Sequence, residues 1–417
     1  MKRILELSDD IPLVWYQILA RGGAAADPPG REGTLRHAAL LARRGAGDRS
    51  RADIDRALDE LGATLEVVAG RDSIGLRGVC LSRHVDDVVS IAADILARPA
   101  MDPDEHRKLL VETRGVLDEL RDDDAALAQR YFARDFGGPA AYARTAIGTE
   151  DSLDAIDLDD VRAAYRRAVV PDNLVVAFAG DVDEVRACAL ADRLAADLPT
   201  DPPPALPDVA AEPAAGPTRA LVVDKPDRAQ VQCAIGHVGP RYGTPEFDAL
   251  IPVETVFGGT FTSRLMQELR VRRGWTYGAG CQLGRARGNL WFRVAFASAE
   301  AVAADAVARA IDMIGELARD GITDDELAFA KGHLRGAWPF SIATPRARAH
   351  LRAECAVYGL DDDYALRFPD RIAAVTAAAA RDAIAAWLRP ASLLTVAVAT
   401  ADRFALPGAA VEPFTSY

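Results

Sequence analysis

An arginine and a tyrosine, Arg270 and Tyr277, stand seven residues apart in the second half of the chain and are the first candidates for chemistry. Gly274 between them predicts the end of a helix, and the spacing puts the tyrosine in the first residues of the next strand. Both side chains can then reach one point. A guanidinium and a phenol at that point would stabilise the negative charge that develops on a peptide carbonyl under attack. Neither group generates a nucleophile, so the pair would be half of an active site.

The same residues also have purely structural interpretations. Arginine at a helix end often binds the last carbonyls, and tyrosine is common in strands. The R-x₆-Y spacing on its own is a frequent coincidence. Arg272 and Arg273 are the neighbours that an error of register would put in the place of Arg270.

Other sources of a nucleophile or a metal are missing from the sequence. The six histidines form no HxxEH or HExxH motif and no close pair in the sequence: His37, His84, His106, His237, His333 and His350. The five cysteines are scattered and include no CxxC pair, which favours buried free thiols over disulfides or a zinc knot. Residues 258–263 lack the Gly-Lys-Ser/Thr ending of a phosphate-binding loop and predict a turn before a helix.

Composition limits the class of protein. Of the 417 residues, 50% are hydrophobic and 27% are charged, as in a soluble globular chain of more than one domain. The net charge of −13 disfavours nucleic-acid binding. No apolar run approaches the roughly 20 residues that cross a bilayer, and no signal-peptide core follows the N-terminus. We therefore expect a cytoplasmic protein without membrane contact, or a periplasmic one if a leader was removed.

The elements that would position these residues repeat along the chain. Seven prolines within residues 199–217 predict an extended linker between an N-terminal domain, residues 1–198, and a C-terminal domain, residues 218–417. A helix, a proline and an apolar strand close each half, and the two prolines, Pro171 and Pro390, are 219 residues apart. This period predicts a duplicated α/β unit and an α+β architecture in which helices cover the sheets.

Four segments in a fixed order resemble signatures of the M16, or pitrilysin-type, zinc peptidases. They are GTEDSL at 148–153, PDNL at 171–174, SRLMQELR at 263–270 and RGWTY at 273–277. The resemblance runs nearly end to end and is to the short, two-domain kind of chain, which works as a dimer. It implies two processing-peptidase-like (LuxS-like) half-domains in a bowl-shaped chain. It also identifies Arg270 and Tyr277 with the family's pair that reaches the zinc site across a cleft.

The family's zinc motif, HxxEH on a helix, is degenerate in this chain. By the resemblance, Arg36 and Leu40 occupy the two histidine positions and Ala39 occupies that of the general base. Glu112 matches the distal zinc-binding glutamate, and we expect it to be solvated or salt-bridged instead. His37 is one position away from a ligand and points about 100° away on a helix, which favours a packing role. We expect no metal in this chain and no peptidase activity of the chain alone.

The resemblance thus implies a non-catalytic, substrate-binding subunit of a heterodimeric bacterial M16 metallopeptidase. The partner would be a chain of similar length with an intact HxxEH motif and its Zn²⁺. Arg270 and Tyr277 would complete the partner's active site, and the substrates would be unfolded peptides. Two alternatives stay open: an inactive homologue that acts as an assembly scaffold, or a subunit of a peptide-maturation protease. The presence of both residues at the family's spacing favours complementation over a scaffold.

Overall fold

Two mixed β-sheets, each packed against helices, organise the computed structural model of the chain, which describes residues 1–415. The predicted α+β class is confirmed. Contacts divide the chain into two units, each made from three separate stretches. The first unit consists of residues 1–116, 144–207 and 339–367, and the second of residues 117–143, 208–338 and the described residues from 368 onward. The domain boundary at residues 199–217 separates the two sequence halves and stays a prediction. The contact-defined units do not coincide with these halves, because each unit includes a helical stretch from the other half.

The N-terminal half of the chain supplies seven strands and nine α-helices within the described residues. The strands are β1 (Lys2–Leu7), β2 (Leu13–Arg21), β3 (Gly45–Ala46), β4 (Arg49–Ser50), β5 (Thr64–Ala69), β6 (Ser73–Leu81) and β7 (Leu174–Gly180). The helices are α1 (Thr34–Ala42), α2 (Arg51–Leu61), α3 (Val85–Ala97), α4 (Pro103–Asp122), α5 (Asp124–Asp135), α6 (Ala140–Ala143), α7 (Glu150–Ala155), α8 (Leu158–Ala168) and α9 (Glu184–Ala195). No helix or strand occurs in residues 199–218.

The C-terminal half repeats the pattern. Its strands are β8 (Arg219–Asp224), β9 (Gln230–Arg241), β10 (Ala279–Leu283), β11 (Asn289–Ala299), β12 (Leu394–Ala399) and β13 (Ala410–Pro413). Its α-helices are α10 (Pro245–Glu254), α11 (Glu300–Asp320), α12 (Asp324–Ser341), α13 (Pro345–Tyr358), α14 (Phe368–Ala374) and α15 (Ala377–Trp387). Two further segments, Thr255–Gly259 and Met266–Arg272, are π-helical. No described helix has the length and apolar character of a membrane span.

The order of the strands shows the duplication directly. The first sheet has the order β1-β7-β2-β6-β5, and the second has the corresponding order β8-β12-β9-β11-β10, with β13 added beside β8. In the first sheet β1 pairs in parallel with β7, and β2 is antiparallel to β7. In the second sheet β8 pairs in parallel with β12, and β9 is antiparallel to β12. The central strands β7 and β12 are buried along their whole length, as expected for strands covered on both faces.

Polar side chains cap the starts of two long helices. Asp102 accepts hydrogen bonds from the backbone N–H groups of Asp104 (2.7 Å) and Glu105 (3.1 Å) before α4. Thr323 and Glu326 exchange hydrogen bonds in a capping box before α12. These local contacts satisfy N–H groups that have no partner within the helix.

Helices α5 and α13 leave their own sequence halves. They begin 221 residues apart, close to the period of the duplication, and each packs on the sheet of the other half. In the first unit, Ala349 and Ala353 of α13 are fully buried against β1, β2 and β7. Two alanines four residues apart lie on one helix face and allow the backbone to approach the sheet closely. Arg348 and Arg352 then bind the two carboxylate oxygens of Glu6, each at 2.8 Å.

Candidate functional site

The start of α1 is fixed by a carboxylate that precedes the helix. Asp27 accepts hydrogen bonds from the backbone N–H groups of Gly33 (2.8 Å) and Leu35 (2.9 Å). Its burial raises the pKa of Asp27 to about 6. Gly33 has a φ of 94°, and a Cβ there would lie 2.9 Å from the carbonyl oxygen of Ile147, so only glycine fits. The helix that carries the degenerate zinc positions is therefore held in place.

The side chains at the three motif positions on α1 provide no ligand for a cation. Ala39 is buried in an apolar environment beside Ile18 and Leu76 of the sheet, and Leu40 is half-buried. Arg36 is half-buried, and desolvation lowers the pKa of its guanidinium. Residues 1–415 provide no hydrogen-bond or ion-pair partner for this side chain. A positive charge and two apolar side chains do not fit a zinc ion, so we assign no metal chemistry to this chain.

Glu112, at the distal zinc-ligand position, is held by an arginine instead. Arg44 binds both carboxylate oxygens of Glu112, with Nη1 3.1 Å from Oε1 and a short contact from Nη2 to Oε2. Arg44 also contacts Glu105 at 3.3 Å. The hydrogen bond from Arg44 is the main cause of the lowered pKa of Glu112. The carboxylate therefore has a counter-ion within its own unit.

The structure brings together two histidines that sequence spacing kept apart. Nε2 of His37 lies 2.9 Å from Nδ1 of His106, and the two rings meet edge to face. Burial, then the neighbouring His106, lowers the pKa of His37 to about 3. Within the described residues, no cluster of three or more potential metal ligands includes this pair. The two histidines are 69 positions apart, and the sequence gives no signal of their contact.

In the second unit, Arg270 lies on the π-helical segment Met266–Arg272 and is exposed. Its guanidinium carbon is 5.7 Å from the ring centre of Phe261, a cation–π contact. The described residues include no carboxylate paired with Arg270. Because α-helical geometry gives way to a wider turn here, the arginine occupies a position that a regular helix would not give it.

The neighbouring arginines are engaged elsewhere. Glu268, a buried carboxylate, accepts hydrogen bonds from Arg273 (Nε, 2.7 Å), Arg309 (Nε, 3.1 Å) and Arg272 (Nη1, 3.2 Å). These guanidiniums, Arg273 first, lower the pKa of Glu268 to about 2. Arg273 also stacks 4.4 Å from the ring centre of Trp275. Of the three arginines near the predicted position, Arg270 is the one that remains available.

Tyr277 projects from a short turn. The helix ends at Gly274, whose φ is 65°, as the sequence predicted. The prediction that Tyr277 begins a strand is wrong, because β10 starts at Ala279. The hydroxyl of Thr276 binds both the N–H (3.1 Å) and the carbonyl (2.8 Å) of Gly278, closing a turn around the tyrosine. The Tyr277 side chain is 90% exposed, so it is not the core residue of the structural interpretation.

The structure does not join Arg270 and Tyr277 by any hydrogen bond among the described residues. It shows two exposed groups, a guanidinium and a phenol, on either side of the turn at Gly274. Both can donate hydrogen bonds to a carbonyl oxygen supplied from outside the chain. Their convergence on one point stays a prediction.

The duplicated α/β fold and the predicted degenerate metal positions on α1 suggest a class of proteins. Comparison with known proteins shows which proteins this chain resembles. A family profile described as the peptidase M16 inactive domain matches residues 155–334. An uncharacterised zinc protease of Mycobacterium tuberculosis is 30% identical over 293 residues, which cover 69% of this chain and 66% of that protein. A non-peptidase homologue of Helicobacter pylori is 21% identical over 86% of this chain and 82% of its own length.

The fold agrees with these matches. The crystal structure of a peptidase M16 inactive domain from Pseudomonas fluorescens superposes with a TM-score of 0.86, at 20% identity, over 95% of this chain and 94% of that one. In sequence and fold the chain is similar to M16 peptidases, so the predicted resemblance is confirmed. The match to the mycobacterial relative spans slightly less than two thirds of that protein's length.

Proposed function

We propose that this chain is the non-catalytic, substrate-binding subunit of a heterodimeric M16 metallopeptidase. The family match is to an inactive domain, and the positions that would hold zinc carry Arg36, Ala39 and Leu40. The observation that supports the proposal best is the state of Arg270. It is exposed and has no carboxylate partner within residues 1–415, whereas Arg272 and Arg273 beside it are paired with Glu268.

In this proposal each side chain has one task. The Arg270 guanidinium donates hydrogen bonds to a backbone carbonyl of an unfolded peptide and holds it in register. The Tyr277 hydroxyl donates to the carbonyl oxygen under attack, where negative charge grows in the transition state. The partner subunit supplies the nucleophile, because neither a guanidinium nor a phenol generates one. The chain alone would bind a peptide but would not cleave it.

The second candidate is an assembly scaffold without a role in proteolysis. It is supported by the Helicobacter pylori relative, whose name describes a non-peptidase homologue. A scaffold has no requirement for an exposed phenol and an unpaired guanidinium flanking one turn, which is why complementation is our first proposal. The two candidates differ in what happens when Tyr277 loses its hydroxyl.

The deciding experiment uses the complex of this chain with an HxxEH-containing M16 subunit of the same organism. In Tyr277→Phe the loss of one oxyanion donor should lower kcat about a hundred- to a thousandfold, or roughly 2.7–4 kcal/mol. Arg270→Ala should raise KM as well, because its contact also exists with bound substrate. Gel filtration should show unchanged assembly, because both side chains are exposed.

Arg272→Ala is the matched control, since its guanidinium is bound to Glu268 and should contribute little to turnover. Turnover of the Tyr277→Phe complex within about twofold of the unmodified complex would contradict complementation and favour the scaffold.

A further inference from the structure

A cavity of about 310 Å³ lies in the second unit, between the segment of residues 256–264 and the first turns of α12. Its lining includes Thr260, Thr262 and Ser263 of that segment, and Asp325 and Phe329 of α12. This cavity adjoins the site described above through Phe261. That residue stands between two of the lining threonines and carries the Arg270 guanidinium over its ring.

The fixed charges at the cavity leave it negative. Arg264 binds both oxygens of Glu326, at 2.8 and 2.6 Å, so these two lining residues neutralise each other. Asp325 is exposed and has no ion pair or hydrogen bond from its side chain within residues 1–415. The lining therefore includes one carboxylate without a paired cation among the described residues, which favours a cationic occupant over an anionic one.

Two exposed aromatic rings, one in the lining and one next to it in the sequence, also favour a positively charged occupant. Phe329 is 51% exposed and Phe261 is 77% exposed, which is unusual for such large apolar side chains. One ring already holds a guanidinium, that of Arg270. The Phe329 ring lies nearly parallel to His333, at an angle of 14° and 6.2 Å between ring centres. Ring faces attract ammonium and guanidinium groups, and their stems pack well on apolar surface.

The hydroxyl side supplies hydrogen-bond acceptors. The hydroxyls of Thr260 and Thr262 lie 3.3 Å apart. Ser263, another lining residue, is 2% exposed, and its Oγ has no hydrogen-bond partner among the described residues. A buried hydroxyl without a partner carries a desolvation cost that a bound N–H donor would relieve.

We infer that this cavity binds one basic side chain, lysine or arginine, of an extended peptide. Asp325 pairs with the positive charge, Phe329 packs on the stem, and the hydroxyls accept N–H groups. That the peptide's backbone also contacts Arg270 and Tyr277 rests on the proposed function; the side-chain preference does not.

The test is direct binding to the full chain without a partner subunit. The probes are fluorescein-labelled peptides of about ten residues, rich in glycine and serine, that differ only at one central position. Arginine, its neutral isostere citrulline, and norleucine occupy that position in turn. An exposed ion pair and a cation–π contact together should favour arginine over citrulline about five- to tenfold in Kd by fluorescence anisotropy.

Asp325→Asn should reduce that preference to less than about twofold, because the amide keeps the shape and loses the charge. Asp324→Asn is the matched control. It removes the adjacent carboxylate, which does not line the cavity, and the preference should persist. Three results would each overturn the proposal: equal affinity for arginine and citrulline, a preference unaffected by Asp325→Asn, or no arginine-peptide binding at about 1 mM. Tighter binding of norleucine would identify an apolar pocket instead.

The failure of this proposal can be told apart from failure of the proposed function. Arg270→Ala should weaken binding of all three peptides by a similar factor and leave their order unchanged. If Arg270→Ala and Tyr277→Phe alter neither binding nor turnover, the proposed function fails while an arginine preference controlled by Asp325 stands. If turnover depends on Tyr277 but arginine has no advantage, the cavity has another role.

Discussion

Arg273 is bonded to Glu268 twice, once through its side chain and once through its backbone. Nε of the arginine donates to Oε1 at 2.7 Å, and its backbone N–H donates to the Glu268 carbonyl at 3.2 Å. A backbone bond between residues five apart closes a π-helical turn. In an α-helix, side chains five residues apart point about 140° away from each other. The wider turn therefore lets the Glu268 carboxylate accept hydrogen bonds from both Arg272 and Arg273, and Arg270 stays exposed.

Neutralising Glu268 should destabilise the second unit. In Glu268→Gln a buried acceptor loses the charge that three guanidiniums share, and we expect a loss of roughly 2–3 kcal/mol in the free energy of unfolding. Urea denaturation monitored by tryptophan fluorescence measures it. Glu316→Gln is the control, because Glu316 is more exposed and, within residues 1–415, pairs with Arg309 alone; the loss of unfolding free energy should stay below about 1 kcal/mol. Equal effects of the two substitutions would refute a special role for Glu268.

The buried histidine pair should make stability fall in acid. The pKa of His37 in the folded chain, about 3, lies below its unfolded value of about 6.5, so the unfolded chain takes up the proton first. The contribution of His37 is therefore complete above pH ~6.5 and is lost progressively down to pH ~3. In His37→Gln, the loss of unfolding free energy between pH ~6.5 and pH ~3 should therefore be smaller by roughly 2–4 kcal/mol.

Urea midpoints measured at several pH values give that profile. His333→Gln removes an exposed imidazole and is the control for the loss of a histidine as such. A His37→Gln profile that runs parallel to the unmodified protein would show that His37 does not carry the pH dependence.

The degenerate motif predicts that the purified chain binds no zinc tightly. Arg36, Ala39 and Leu40 cannot coordinate the ion, and Arg44 occupies the carboxylate of Glu112. After dialysis against zinc and then buffer, elemental analysis should find less than about 0.1 equivalent. One equivalent of bound zinc that disappears in His37→Ala or Glu112→Gln would reverse this assignment and place a metal on α1 and α4.

The turn before Arg270 should tolerate a methyl group at one glycine and not at the other. A Cβ on Gly258 would lie 2.3 Å from the backbone nitrogen of Cys281 in β10, and the strand cannot yield. Gly258→Ala should therefore cost roughly 1–3 kcal/mol. On Gly259 the nearest atom would be the Glu254 carbonyl oxygen at 3.4 Å, so Gly259→Ala should cost clearly less. Thermal unfolding of both variants tests the difference, and equal melting temperatures would contradict it.

Much of the architecture could be predicted from the sequence because it depends on local patterns. The prolines before β7 and β12, Pro171 and Pro390, are 219 residues apart, and apolar strands and acidic helix caps such as Asp102 recur in the same order in each half. The structure places them in two sheets of equivalent strand order. The assignment of degenerate metal positions to Arg36, Ala39 and Leu40 on α1 rests on the family resemblance and stays a prediction. The roles of Arg270 and Tyr277 stay predictions, although their exposure suits them.

Only the tertiary structure determined which surfaces meet. The sequences of α5 and α13 carry no record of which sheet each helix will cover, and each covers the sheet of the other half. The contact between His37 and His106 joins residues 69 positions apart, and Asp27 caps α1 from six residues before Gly33. Such contacts depend on how separate elements pack, because burial and charge pairing are properties of the assembled chain and not of any segment within it.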